Sequence, residues 1–205
     1  MLRLITYRNI DEFPALVASM HRDRKSLFVG AFGWDLRHQN GEERDEFDDG
    51  AAEYIVLSDG ADRHIASLRL LRTDRPHLLD SVFSALCEAD IPRGEKIREI
   101  TRFCVPLHRP ARIETRNILA RAVNDYAAAN GIASYTAVCH ARFLSDLLSS
   151  GWRCTLLGPP HPCGDSLASA VQIHMSDEIT GGLAADWRCP QTAPRLSIPR
   201  AELAA

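Results

Sequence analysis

Hydrophobic and polar positions along this chain change period often enough to mark out separate elements. Residues 2–7 alternate weakly and predict a first strand. Phe13, Leu16, Val17, Met20, Leu27 and Phe28 recur at helical spacing. Asp11 is placed to cap that helix, and Pro14 falls in its first turn, where a missing N–H does no harm. Arg24 breaks the pattern: it stands four residues after Met20 and four before Phe28, on the apolar stripe itself. Residues 30–52 fit neither period. Gly30, Gly33, Gly41 and Gly50 punctuate a stretch carrying Trp34, Asp45, Phe47, Asp48 and Asp49; a structureless segment of that length is a binding loop or lid, or else disordered, and aromatics interleaved with acids favour the first. Residues 53–57 and 64–71 read as a hairpin across Asp59-Gly60-Ala61-Asp62, with Arg69 in mid-strand among leucines.

A short helix around 79–87 leads to the central strand, 97–105, which holds Arg98, Glu99 and Arg102 within five residues. On strict alternation Glu99, Thr101 and Phe103 share one face and Arg98, Ile100 and Arg102 the other, so Glu99 and Arg102 diverge unless a bulge re-aims one of them. Residues 115–130 form an amphipathic helix with Ile118, Leu119, Ala122, Val123 and Tyr126 on one face and Gly131 as its stop. A strand at 133–139, a helix at 142–150 packed through Phe143, Leu144, Leu147 and Leu148, and strands at 152–157 and 167–175 complete the pattern. Strands and helices in this order pack most naturally as a mixed sheet with helices on both faces, a three-layer α/β/α sandwich. One domain is expected over residues 1–176, with 177–205 as a loosely packed tail.

Composition narrows the function classes. A chain of 205 residues, 45% hydrophobic, can bury one substantial core. Its net charge of -3, with no basic block, argues against nucleic acid as a partner. No apolar run is long enough to cross a bilayer. The first residues lack a signal-peptide core, and six cysteines without a CxxC pair fit a reducing compartment, so a cytoplasmic protein is expected. His161-Pro162-Cys163 has no second ligand pair nearby, and no metal site is expected.

Charges stand where oil is expected: Arg24, Arg69 and Arg102, matched by Asp45, Asp48 and Glu99. The plain alternative is an ion-pair network that ties loop to core. Desolvation offsets much of the attraction in such a network, so it contributes little to stability. With Trp34 beside them, these groups read instead as a site for a small zwitterion: carboxylates for a cationic group, arginines for a carboxylate, the indole for a flat ring or cation.

In order, Arg24-x3-Phe28-x5-Trp34-x10-Asp45-x2-Asp48, then Ser67-Leu68-Arg69-Leu70-Leu71, Asp80-Ser81-Val82-Phe83 and Glu99-Ile100-Thr101-Arg102-Phe103 resemble the motifs of the acyl-homoserine-lactone synthases, the LuxI-type autoinducer synthases of quorum sensing. The resemblance covers about residues 3–176. It implies a mixed, mostly antiparallel sheet related to the N-acetyltransferase (GNAT) fold, and no prosthetic cofactor. The implied reaction takes S-adenosylmethionine and an acyl thioester, on acyl-carrier protein or coenzyme A, to an acyl-homoserine lactone and methylthioadenosine. By the same resemblance Glu99 is the base, with Arg102 beside it, and burial would raise the Glu99 pKa toward a useful range. Asp45 and Asp48 would hold the cationic end of S-adenosylmethionine. Arg24 and Arg69 would fix the loop, and Phe28, Trp34, Arg102 and Phe103 would shape the pocket. Thr101, Val138, Cys139, Phe143 and Leu147 are expected to line the acyl chain.

The chain departs from the family in two places. Cys139 stands where many members carry Thr, and a thiol is a poor hydrogen-bond donor. The segment 139–153 keeps only Arg142 and Arg153, few charges for steering an acidic carrier protein, which leaves acyl-coenzyme A open as donor. Two other readings remain: an N-acyltransferase of the same fold acting on another amine without lactonisation, and a non-catalytic module that binds acyl carrier or acyl lactone.

Overall fold

The computed structural model describes residues 1–164, 166–175 and 183–198. The chain divides into two compact units: Met1–Leu70 with Arg102–Asp125 and Cys189–Ala205, and Leu71–Thr101 with Tyr126–Arg188.

In the first unit, β1 (Leu2–Ile5) pairs antiparallel with β4 (Glu53–Ser58), and β4 with β5 (His64–Arg72), which places Tyr54 opposite Arg69. Alternation is blurred because both faces are covered: Leu4, Ile5, Ile55, Val56, Leu68 and Leu70 are all buried. Helix α1 (Pro14–Arg24) begins with Pro at its first position. Asp11 does not cap it; it sits in a preceding 3-10 turn, Ile10–Glu12, and the cap position is Phe13. At Lys25 the helix widens into a π-helical run, Lys25–Ala31; of the expected stripe Leu16, Val17, Met20, Arg24, Leu27 and Phe28 are buried and Phe13, at the cap, is half-buried.

The segment 30–52 is more ordered than its mixed pattern predicts. His38–Gln39 (β2) and Glu42–Glu43 (β3) form a hairpin. Its two-residue loop is Asn40-Gly41, both at positive φ (54° and 80°). That is the type I′ turn, whose twist suits tight hairpins and which Asn-Gly favours. Within the expected tail, the described residues 183–198 are anchored: Trp187 is buried, Ser197 bridges to Arg3, and Arg121 donates to the carbonyls of Pro190, Ala193 and Pro194. The rest of that tail, 177–182 and 199–205, lies outside the described residues.

In the second unit, β6 (Ile97–Cys104) begins parallel to β7 (Ser134–His140). Strand β10 (Ser166–His174) pairs antiparallel with β7, with β8 (Arg153–Leu156) and with β9 (His161–Cys163). The pairings given for both units are thus antiparallel except β6–β7, the mixed and mostly antiparallel arrangement expected. Helix α2 (Leu78–Ser81) and helix α4 (Ala141–Leu148) both pack on β7. Helix α3 (Arg112–Asn130), which belongs to the first unit as far as Asp125, buries the expected face, and Gly131 at φ 63° ends it in the left-handed conformation that glycine adopts freely.

Candidate active site

The three unexpected arginines of the first unit meet at one place. Arg24 donates through Nε to Glu43 Oε2 (2.6 Å) and through Nη1 and Nη2 to the two Asp48 oxygens (2.8 and 2.9 Å). Arg69 grips Asp45 with both terminal nitrogens and lies 2.9 Å from Asp48 Oδ1. Arg102 donates to Glu43 Oε1 (3.0 Å) and Asp45 Oδ2 (2.8 Å). Three guanidinium groups face three carboxylates, so the cluster is neutral within itself. Its burial is nearly complete: side-chain exposure is 1% for Arg24, 0% for Arg69 and Glu43, 2% for Asp48 and 11% for Asp45.

By sequence these arginines match Asp45, Asp48 and Glu99. The third acid is Glu43, on the hairpin strand β3; Glu99 lies in the other unit. Asp48 has no edge left for a ligand, since it also accepts the Tyr54 hydroxyl (2.9 Å) and the Asp45 backbone N–H (2.9 Å). Burial disfavours its charge, but the bonds and charge of Arg24, with Arg69 behind, hold its carboxyl well below the usual range. The same carboxylate pushes the buried Tyr54 hydroxyl upward, after burial itself. His21 donates through Nδ1 to the Glu43 carbonyl (2.8 Å); burial, then the charge of Arg24, lowers its pKa to about 4, so the ring is neutral near pH 7.

Arg102 reaches this cluster through a backbone exception. Its φ is 49°, a left-handed conformation that costs an L residue roughly 1–2 kcal/mol. Burial along β6 shows the consequence: Glu99 and Thr101 are buried, then Cys104 rather than Phe103, so the alternation slips by one at Arg102. The irregularity needed to break strict alternation is present at Arg102, and its guanidinium meets Glu43 and Asp45. The guanidinium also lies 5.8 Å from the Phe28 ring centroid. Phe28 stacks on Trp34 at 5.0 Å with planes 10° apart, and Leu27, Phe28 and Cys104 pack with Trp34 and Leu36. An aromatic wall therefore abuts the charged cluster, with Trp34 partly exposed and Phe28 buried.

In the second unit, Glu99 is fully buried and its Oε1 accepts the Leu79 N–H (2.9 Å) at the start of α2, whose cap residue His77 gives no side-chain bond. The register sets Glu99 beside Thr136, and Thr136 beside Gln172. Paired residues point the same way, so Glu99, Thr101, Thr136 and Val138 share one face. On that face Val138 packs with Leu79, Leu86, Ala168 and Ala170, an apolar cluster joined by Phe83 and Leu157.

Cys139, expected beside Val138 in one chain-lining set, has opposite parity and pairs with Ser169 on the other face. It is buried, and burial pushes its thiol up to about 12. The residue with a hydroxyl next to Glu99 is Thr136, fully buried and with no hydrogen-bond partner for Oγ1 among the described residues. Sequence spacing did not single it out. Leu147 is buried and Phe143 half-buried on α4, which packs on β7 and β10.

Comparison with known proteins is consistent across sequence and fold. The family model for autoinducer synthases matches residues 11–182. The acyl-homoserine-lactone synthase of Agrobacterium fabrum (strain C58) is 28% identical over 205 residues, 95% of this chain and 92% of that protein. Among solved structures, the CoA-dependent acyl-homoserine lactone synthase BjaI with MTA superposes at TM-score 0.88, 24% identical, covering 99% of this chain and 96% of that one. The CoA-dependent synthase MesI gives 0.78 at 25% identity over 88% and 92%. An acyl-CoA N-acyltransferase from Pseudomonas aeruginosa shares the fold at TM-score 0.59 and 13% identity, covering 84% and 97%.

Proposed function

From the premise that this chain belongs to the autoinducer synthase family, and is accordingly an acyl-homoserine-lactone synthase, we propose how its residues divide the work. S-adenosylmethionine binds at the first unit's aromatic and charged wall. Trp34, backed by Phe28, takes the flat adenine or the sulfonium. Asp45, the least buried acid of the cluster, faces the cationic end. Arg102 and Phe103 shape the pocket. Arg24, Arg69, Glu43 and Asp48 do not meet the substrate; they hold the loop that presents Asp45. The observation that carries this reading is the self-neutral, buried cluster of three arginines and three acids against the Phe28–Trp34 stack.

Glu99 takes the proton from the ammonium of S-adenosylmethionine, directly or through water, so that the amine attacks the acyl thioester carbonyl. Backbone N–H groups around the Arg102 kink receive the tetrahedral oxyanion. The thiol leaves with its proton. The methionine carboxylate then attacks its own γ-carbon, the C–S bond breaks, and its electron pair neutralises the sulfonium to give methylthioadenosine and the lactone. The acyl chain runs along the face of Thr101, Thr136 and Val138, with Phe143 and Leu147 lining it further on. Thr136, beside the base, supplies the hydroxyl nearest the start of the chain, a group that the Cys139 thiol does not offer.

The donor we favour is acyl-coenzyme A. On α4 and the turn after it, the exposed Arg142 is balanced by Asp146, which leaves little positive charge for an acidic carrier protein. The MesI likeness, to a CoA-dependent synthase, points the same way. No helix among the described residues is long and apolar enough to cross a membrane. The six free cysteines support a reducing compartment such as the cytoplasm as the setting of the reaction. The pocket assignment is tested by titration calorimetry. Trp34→Leu weakens S-adenosylmethionine roughly tenfold or more while the KM of the acyl donor holds. An unchanged affinity removes Trp34 from the pocket.

A further inference from the structure

A second polar chain lies beside the charged cluster in the first unit. His64, at the start of β5 and fully buried, makes a 2.7 Å contact from Nδ1 to Asp23 Oδ2 and a 2.9 Å contact from Nε2 to Ser67 Oγ. An ionised carboxylate only accepts, so Nδ1 carries the proton; Nε2 is then the acceptor, and the Ser67 hydroxyl donates to it. The order acid, imidazole, hydroxyl is that of a nucleophilic triad, but Ser67 is 1% exposed and no substrate reaches it. The positions of the outer two members are what matter. Asp23 immediately precedes Arg24 on α1. Ser67 stands two residues before Arg69 on β5, on the same face of the strand. The register shift between Leu57 and Ser58 brings His64 onto that face as well. The hydroxyl of Ser19, also on α1, lies 3.3 Å from the His64 N–H, and Arg109 donates to the His64 carbonyl.

We propose that Asp23, His64 and Ser67 form a positioning relay for S-adenosylmethionine binding: without touching substrate, they fix α1 against β5 and so set the separation of Arg24 and Arg69, the two arginines that hold Asp48 and Asp45. The proposal rests on the assignment of that pocket to the first unit. Its selectivity follows from geometry, since all three residues grip the elements that carry the cluster arginines.

The relay needs a neutral imidazole. Burial lowers the His64 pKa, against the raising pull of Asp23, and Arg109 and Arg24 add to the lowering. Once protonated, Nε2 can no longer accept from Ser67, and a buried cation faces Arg24 and Arg109. Acid therefore loosens the relay.

The experiment measures KM for S-adenosylmethionine, KM for acyl-coenzyme A and kcat in wild type, Ser67→Ala and His64→Phe between pH 5 and 8. Ser67→Ala removes one hydroxyl and is the variant chosen to stay folded. It is expected to raise the S-adenosylmethionine KM roughly five- to tenfold at neutral pH, with kcat and the acyl-coenzyme A KM within about twofold of wild type. Wild type shows a rise in the same KM on acidification, and Ser67→Ala a smaller one. His64→Phe, where it folds, exceeds Ser67→Ala in the same direction. The proposal is overturned if Ser67→Ala leaves the S-adenosylmethionine KM unmoved, or if both KM values and kcat shift together. Failure of the underlying pocket assignment reads differently, as an unchanged S-adenosylmethionine affinity in Trp34→Leu.

Discussion

Glu99→Gln leaves the protein folded and slows methylthioadenosine release by about 10²- to 10⁴-fold, the usual contribution of a positioned general base. The fold survives because the side chain's structural bond survives: Glu99 Oε1 accepts the Leu79 N–H at the start of α2, and the glutamine carbonyl oxygen accepts it equally. What glutamine cannot do is take up a proton. The loss falls on kcat, and the KM of S-adenosylmethionine moves little because Glu99 is not assigned to its binding. Following methylthioadenosine by chromatography, with a circular-dichroism melt as control, decides the matter; turnover at the wild-type rate removes Glu99 from the role of base.

The second large effect is on stability. Asp48→Asn leaves Arg24 and Arg69 buried with one acid fewer and turns a neutral cluster into one with a net positive charge. Removing one partner of a buried ion pair costs roughly 3–5 kcal/mol. In a chain of this size that lowers Tm by about 6–20 °C, measured by calorimetric or spectroscopic melting. Glu42→Gln, one hairpin residue away from Glu43, is the control: its partners Arg22 and Arg44 have side chains 56% and 49% exposed, and the change is expected within about 1 kcal/mol. Equal melting temperatures for the two variants contradict the view that the cluster is a tightly coupled unit.

What could be read from sequence, and what could not, follows from the range of each signal. Arg24 on an apolar stripe and Arg69 among leucines are local contradictions, visible in a window of a few residues, and both prove buried. The crowding of charge at 98–102 leaves two outcomes open, strict alternation or a bulge, and the left-handed Arg102 is the local irregularity that the structure shows. Glu43 is harder to find because its segment has no helix or strand period; the one local signal for it is Asn40-Gly41, a strong hairpin turn that puts Glu43 on a strand. Thr136 was beyond reach for a different reason. Which face of β7 looks toward Glu99 depends on its register with β6, a pairing across 37 residues that no local pattern encodes, and Cys139 differs from Thr136 in parity. The Asp23–His64–Ser67 relay depends likewise on a register shift between two strands. Asp23 alone reads as one more charge on a polar helix face.

The account stands or falls on the reaction itself, and product analysis of the wild-type protein tests it most directly. Incubation with S-adenosylmethionine and matched acyl groups, once on coenzyme A and once on acyl-carrier protein, is followed by mass analysis of every product. The prediction is an acyl-homoserine lactone and methylthioadenosine in equal amounts, formed faster from the coenzyme A thioester. An acylated amine without a lactone, or thioester hydrolysis with S-adenosylmethionine untouched, would contradict it.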